Sequence, residues 1–248
     1  MRDFYEEIFK RKSFHLFRDT GSISEKDLEE LDDFLKEVKP LDETIRYTCR
    51  IVKESETTCK RGAEYCILFY SEKKNEYLRN IGYIGEQIDL YLTSKNIGTL
   101  WFGIGKPDEK EYDGLDYIIM IAFSRMTEDR FRKDMFKSKR KSLEETWIGE
   151  ELPFSDIVRF TPSACNTQPW ITEHIDNKLY VYRYKKAGKR GIMPVKAVMY
   201  YNRIDIGIYL CILEMCLNHE NISYERQLHE DLSDDTVEKT LVAVYTLK

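Results

Sequence analysis

Two long amphipathic helices with matching internal spacing, each set between β-rich runs, constrain this chain more than any other feature. Between Tyr77 and Asn96, Ile81, Ile84, Ile88 and Leu92 recur at helical spacing; between Ile204 and Leu217, so do Ile206, Leu210, Leu213 and Leu217. Laid over one another, Gly82 through Asn96-Ile97 matches Gly207 through Asn221-Ile222, and Asp89 falls opposite Glu214. Apolar runs that read as strands bracket each helix: Glu64–Tyr70 and Tyr117–Phe123 around the first, Leu179–Tyr184 and Leu241–Leu247 around the second. The identities are few, so the weight rests on the repeated order of elements. The halves are placed at residues 1–135 and 136–248, dividing inside the highly charged stretch 126–150. Gly98 is expected to close the first long helix.

Ahead of these elements, Asp3–Phe9 reads as a short helix. Ser24 with Asp27 opens another in the manner of a capping box, with Leu28, Leu31, Phe34 and Leu35 as its stripe and Pro40 as its stop. With 42% hydrophobic residues the chain can build a core, which excludes a disordered protein. A net charge of −5 gives no overall reason to expect nucleic acid as a partner. Met1–Phe17 lacks the uninterrupted apolar run of a secretory signal. The most apolar stretch, Ile204–Leu217, carries Asp205 and Glu214 and is too short to span a bilayer, so no membrane partner is expected. Cys49, Cys59, Cys66, Cys165, Cys211 and Cys216 show no C-x-x-C, which fits reduced thiols in a cytoplasmic protein better than a metal or redox motif.

The most informative stretch is Pro162-Ser163-Ala164-Cys165-Asn166-Thr167-Gln168-Pro169-Trp170. It offers a hydroxyl, carboxamides at Asn166 and Gln168, and two prolines that restrict the backbone. Carboxamides carry both donor and acceptor, which suits the mixed edge of a flavin or pyrimidine, and Trp170 could add an apolar wall. On composition alone the stretch is an ordinary polar loop. Three other segments stand out: Arg11-Lys12-Ser13-Phe14-His15; Gly98-Thr99-Leu100-Trp101-Phe102-Gly103-Ile104-Gly105; and the basic cluster Arg130–Lys141, with seven cations against Asp134. Each also has a plain structural reading, as a solvated face, a tight turn or a charged linker. A second basic cluster, Arg183–Arg190, reads as an exposed hairpin or as an attractor of an anionic dinucleotide.

The 162–170 string resembles the P-S-x-x-N-x-Q-P-W signature of the FMN-dependent nitroreductase family. Residues 11–15 look like that family's R-R-S-x-R motif, with His15 in place of a basic residue, and Gly98–Gly105 is similar to the segment that lies near flavin N5. The resemblance implies that Pro162, Ser163, Ala164 and Asn166 lie against the isoalloxazine, with Gln168 close behind. It implies Arg11, Lys12, Ser13 and His15 on the phosphate and pyrimidine side, Gly103, Ile104 and Gly105 near N5, and Lys139 and Arg140, or Lys137, at the phosphate.

The Arg-Lys-Ser motif falls in the first half and the Asn-x-Gln-Pro-Trp motif in the second. The second half instead carries Arg140-Lys141-Ser142-Leu143-Glu144, with an acid where a base belongs. This resembles a subgroup in which one duplicated chain mimics the family's homodimer. The fold so implied is α+β: antiparallel sheets flanked by helices, in two halves related by a pseudo-twofold that hold one FMN between them. A monomer would then suffice for the site, although a homodimer remains open. The implied activity is ping-pong hydride transfer from NAD(P)H through FMN to a small-molecule acceptor of nitroaromatic or quinone type, with no side chain needed as general acid. A flavin storage or electron-carrier protein, and a scaffold that has lost its cofactor, stay open as alternatives.

Overall fold

A complete capping box opens the second helix of the molecule: Ser24 Oγ accepts from Asp27 N–H while the Asp27 carboxylate accepts from Ser24 N–H. The computed structural model describes residues 1–184, 191, 193–232 and 237–248. These form two units, Met1–Met135 and Phe136–Lys248.

The first unit runs α1 (Tyr5–Lys10), α2 (Glu25–Glu37), β1 (Tyr47–Lys53), β2 (Tyr65–Ser71), α3 (Tyr77–Ser94), β3 (Ile97–Trp101), β4 (Glu111–Tyr112) and β5 (Leu115–Arg125). Its sheet has the order β1-β2-β5-β3, antiparallel throughout, with β4 folded onto β5. Ile81, Ile84, Ile88 and Leu92 of α3 are all fully buried, as their spacing predicts.

The second unit runs β6 (Trp147–Gly149), α4 (Ser155–Val158), β7 (Trp170–Ile175), β8 (Lys178–Tyr184), α5 (Val195–His219), β9 (Tyr224–Leu228) and β10 (Lys239–Leu247). The order is β6-β7-β8-β10-β9, with only the short β6 parallel to its neighbour. α5 starts earlier than the apolar stripe announces, and from Ile204 to Leu217 it is buried on every side.

Both units therefore thread a hairpin, a helix and two strands in the same way, the last strand inserting between its two neighbours. The likeness reaches fine detail. β5 bulges at Ile118 opposite β2, and β10 bulges at Val242 opposite β8, each at the strand's fourth residue. Asn96 and Asn221 both take left-handed backbone, φ 55° and 57°, just beyond their helices. Thus Asn96, not Gly98, terminates α3. Gly98 lies within β3, and a Cβ there would meet the rings and chains of Phe14 and Met126 at 2.6–2.8 Å.

The carboxylates at the matched positions are held alike. Asp89 on α3 accepts from Thr99 and Trp101, alternate residues of β3. Glu214 on α5 accepts from Tyr224 and Arg226, alternate residues of β9, and from Tyr245.

Candidate functional site

In the first unit, Ser13 pairs in parallel with Thr99 and Phe14 N–H donates to Thr99 O at 2.9 Å, which lays residues 11–15 beside β3. Arg11 is buried there, with Nε 2.9 Å and Nη2 2.8 Å from Asp89 Oδ2. Burial works against its charge, but Asp89 and Glu86 outweigh that and hold its pKa above the ordinary value. Arg11, expected at a cofactor, thus commits its guanidinium to a helix carboxylate. Glu86, one turn before Asp89, is fully buried and neither carboxyl oxygen finds a hydrogen-bond partner among the described residues. Burial first, and the charge of Asp89 second, push its pKa well above the usual carboxylate range.

Lys12 and Ser13 are half-buried and His15 is exposed. Lys12 Nζ donates to Arg130 O at 2.7 Å. Burial, then the charges of Arg130 and Arg132, lower its pKa. Arg132 is also half-buried, and among the described residues its guanidinium meets neither an acid nor an acceptor. Burial and the neighbouring charge of Arg11 bring its pKa down to about 10. Two partly desolvated cations therefore act on one another, Lys12 next to Ser13 in sequence, and neither is paired with an acid among the described residues. Such a set repels itself until an anion joins it.

The turn after β3 is mixed. Gly103 is half-buried and Ile104 is 72% exposed. Gly105 is buried, and a Cβ on it would strike Phe102 and Met120 at 2.7 Å. Packing within the unit thus accounts for that glycine without any ligand.

In the second unit the structure brings two expected segments together. Arg140 Nη1 donates to Asn166 Oδ1 at 2.8 Å, and Asn166 Nδ2 donates to Lys139 O at 3.0 Å. Lys141, buried, donates its N–H to Gln168 Oε1 and its Nζ to Gln168 O, both at 2.7 Å. Gln168 Nε2 turns back to Asn166, so Gln168 is saturated inside the loop. Ser163 Oγ accepts Gln168 N–H at 3.0 Å. The loop holds three non-glycine residues in left-handed backbone: Cys165, Asn166 and Gln168, φ 50°, 56° and 49°. Such residues cost about 1–3 kcal/mol each and persist where the surroundings over-determine them. Cys165 and Asn166 are exposed, while Pro162, Ser163 and Ala164 are half-buried. Trp170, expected as a ligand wall, is instead fully buried in the core, stacked on Tyr209 at 4.9 Å.

For FMN the fit is uneven. Lys12, Ser13 and Arg132 suit a phosphate, and the open surface at 162–166 suits a planar ring. Arg11 and Gln168 are already saturated. Lys139 is exposed, but its carbonyl and Arg140 belong to the Asn166 network. The second basic cluster divides: Arg183 is buried in an ion pair with Asp231, while residues 185–190 lie outside the described residues.

Two residues escaped the sequence reading. Arg132 was one of seven cations with nothing to single it out. Asp205 is buried on α5 and reaches the 162–168 loop, its Oδ1 accepting Ala164 N–H at 2.8 Å. The available signal was an acid inside an otherwise apolar helix.

A family model described as "Putative TM nitroreductase" matches residues 3–216. No curated protein matches. Among solved structures, a "putative nitroreductase" from Thermotoga maritima MSB8 superposes with TM-score 0.62 at 19% identity, covering 99% of this chain and 93% of that one. At that identity the likeness shows a shared fold. A nitroreductase family protein from Clostridium difficile 630 gives TM-score 0.44 at 15% identity, over 61% of this chain and 99% of its own. One from Streptococcus pneumoniae TIGR4 gives 0.43 at 13%, over 60% and 100%.

Proposed function

The chain belongs to the family described as "Putative TM nitroreductase", a family of oxidoreductases, and from that premise we propose that it is an FMN-dependent NAD(P)H oxidoreductase acting on a small acceptor. The observation that carries the reading is the pair of neighbouring cations Lys12 and Arg132, partly desolvated and without an acid among the described residues, with Ser13 following Lys12 in the chain. These three would hold the FMN phosphate, with Arg11 fixed behind them by Asp89. Pro162, Ser163, Ala164 and Asn166 would line the isoalloxazine, and the turn Gly103–Gly105 would approach it.

FMN held there would supply the redox chemistry, hydride transfer from NAD(P)H to a nitroaromatic or quinone-type acceptor in a ping-pong cycle. The chain's own residues bind and orient. Arg140 keeps the Asn166 carboxamide in place through Oδ1, and Lys141 keeps Gln168 in place through its carbonyl. The strained backbone at 165–168 sets the surface that Ser163 and Ala164 present.

Because the first half carries the Arg-Lys-Ser motif without the carboxamide loop, and the second carries the loop with Glu144 where a base belongs, we propose one FMN per chain and a monomer sufficient to hold it. The test is an absorbance spectrum of purified protein, identification of the flavin released on denaturation, and anaerobic titration with NADH and NADPH. FMN near one per chain, reduced by either nucleotide, is the expected result. A colourless protein that takes up no FMN at micromolar concentration overturns the reading. Bound FMN that neither nucleotide reduces makes it a carrier or store.

A further inference from the structure

The 163–168 loop is held from below by one carboxyl group. Asp205, fully buried on α5, accepts Ala164 N–H at Oδ1 (2.8 Å) and lies 3.5 Å from the Thr167 hydroxyl through Oδ2. Thr167 also reaches Asn202, one turn earlier on the same helix, at 3.4 Å. The first unit carries the same device. Asn80, which stands to Gly82 as Asp205 stands to Gly207, accepts the N–H groups of Leu41 and Asp42 at 2.8 and 3.0 Å. In both units a helix side chain thus clamps the backbone of the loop that leads into the first strand of the hairpin, β1 or β7. The first unit uses a neutral carboxamide and the second an ionisable acid.

We propose that Asp205 is the positioning residue of the flavin-facing loop: its buried carboxyl, accepting Ala164 N–H and standing against the Thr167 hydroxyl, fixes the backbone of residues 164–167. This rests on the FMN reading for what the loop faces, but not for the clamp itself. The groups against Asp205 on the loop are neutral: Ala164 N–H and the Thr167 hydroxyl, with the Cys165 thiol between them in sequence. On its own helix lie Asn202, Tyr201 and Arg203. α4 and β8 also pack on α5; Asp156 is paired with Arg159 at the end of α4, and neither they nor Arg183 of β8 bear on the Asp205 carboxyl. Arg183 and Arg203 are both held by Asp231. No cation is therefore committed to Asp205 among the described residues, and burial pushes its pKa up to about 8. With the loop open and the group wetted, it returns toward the ordinary 3.8. The closed state then binds more protons, so closure is favoured below the ordinary value and weakens as pH rises through about 8.

The test is hydrogen exchange at the Ala164 amide without flavin from pH 5.5 to 9, corrected for intrinsic rates, together with FMN affinity by fluorescence. Wild type, Asp205→Asn and Asp205→Ala are compared in the full chain. Wild-type protection should fall with pH, approaching about tenfold per unit below pH 8, and then level off. Asp205→Asn, which copies Asn80, should protect at every pH and hold FMN within about threefold of wild type. Asp205→Ala should lose the protection and bind FMN roughly tenfold more weakly.

Unchanged exchange in Asp205→Ala, or a wild-type pH slope that survives in Asp205→Asn, overturns the clamp. Lost protection with unchanged FMN affinity overturns its positioning role. Should Asp205→Ala fail to fold, the Asp205→Asn pH comparison still decides. Wild type that binds no FMN defeats the flavin reading and with it the positioning role, while the exchange results still judge the clamp.

Discussion

Arg11 and Asp89 form a buried ion pair in which two guanidinium nitrogens converge on a single carboxylate oxygen, at 2.8 and 2.9 Å. The side chains are 6% and 0% exposed, so removing either partner strands a charge that water cannot reach. Arg11→Ala should destabilise the fold by about 3–5 kcal/mol. Lys12→Ala, at a half-buried neighbour bonded only to a carbonyl, should change stability little. Urea unfolding of the two variants checks this, and equal midpoints would return Arg11 to the surface role its sequence motif suggests.

Glu86 gives stability a pH dependence of known sign. Its folded-state pKa stands well above the ordinary 4.5, so the folded chain binds more protons and loses stability as pH rises above that value. Glu86→Gln abolishes the titration. The difference in unfolding free energy between wild type and Glu86→Gln should therefore drift in favour of the variant on moving from pH 5 toward pH 8, by at most about 1.4 kcal/mol per unit. Parallel stability curves would show that Glu86 does not hold its proton.

On the proposed FMN reading, phosphate recognition should separate from ring recognition. Arg132→Ala should weaken FMN by roughly 10- to 100-fold, the scale of one charge-assisted contact, and leave riboflavin almost unaffected. Lys139→Ala, at an exposed side chain, should do much less. Titrations with both flavins decide the matter, and equal losses for FMN and riboflavin would exclude Arg132 from the phosphate.

Asn166→Ala should weaken FMN by about 1–3 kcal/mol, through its own carboxamide and through release of Arg140. Asn177, in the hairpin between β7 and β8, donates its side-chain amide to Leu247 O, away from the loop, and its alanine variant is the control. A matched pair of small effects would reduce the loop to ordinary surface.

The long helices and central strands were legible because burial on one or both faces writes a period into the sequence. Strands at the sheet margins were not. β1, Tyr-Thr-Cys-Arg-Ile-Val-Lys, is half-buried over most of its length, and β9, Tyr-Glu-Arg-Gln-Leu, is largely exposed. Their place is set by β2 and β10, which is information held elsewhere in the chain. At the site, residue types were legible but commitments were not. A motif can announce Arg11, Gln168 and Trp170, yet only the fold shows Asp89, Lys141 and Tyr209 taking them up. Conversely, Arg132 and Asp205 became conspicuous only through what they lack or touch.

The common threading of the two sheets matters during folding as well. β3 and β9 have equal length, run in the same direction against equally bulged partners, and follow helices of like pattern, so each could enter the other's place in a chain still forming. The carboxylates tell them apart. With β9 exchanged for β3, Arg226 would join Arg11 at Asp89, crowding two guanidiniums on one acid. Glu214 would meanwhile face Thr99 and Trp101 and lose its pairing with Arg226. The uneven charging of two otherwise matching clamps would thus penalise misassembly and favour each strand in its own sheet.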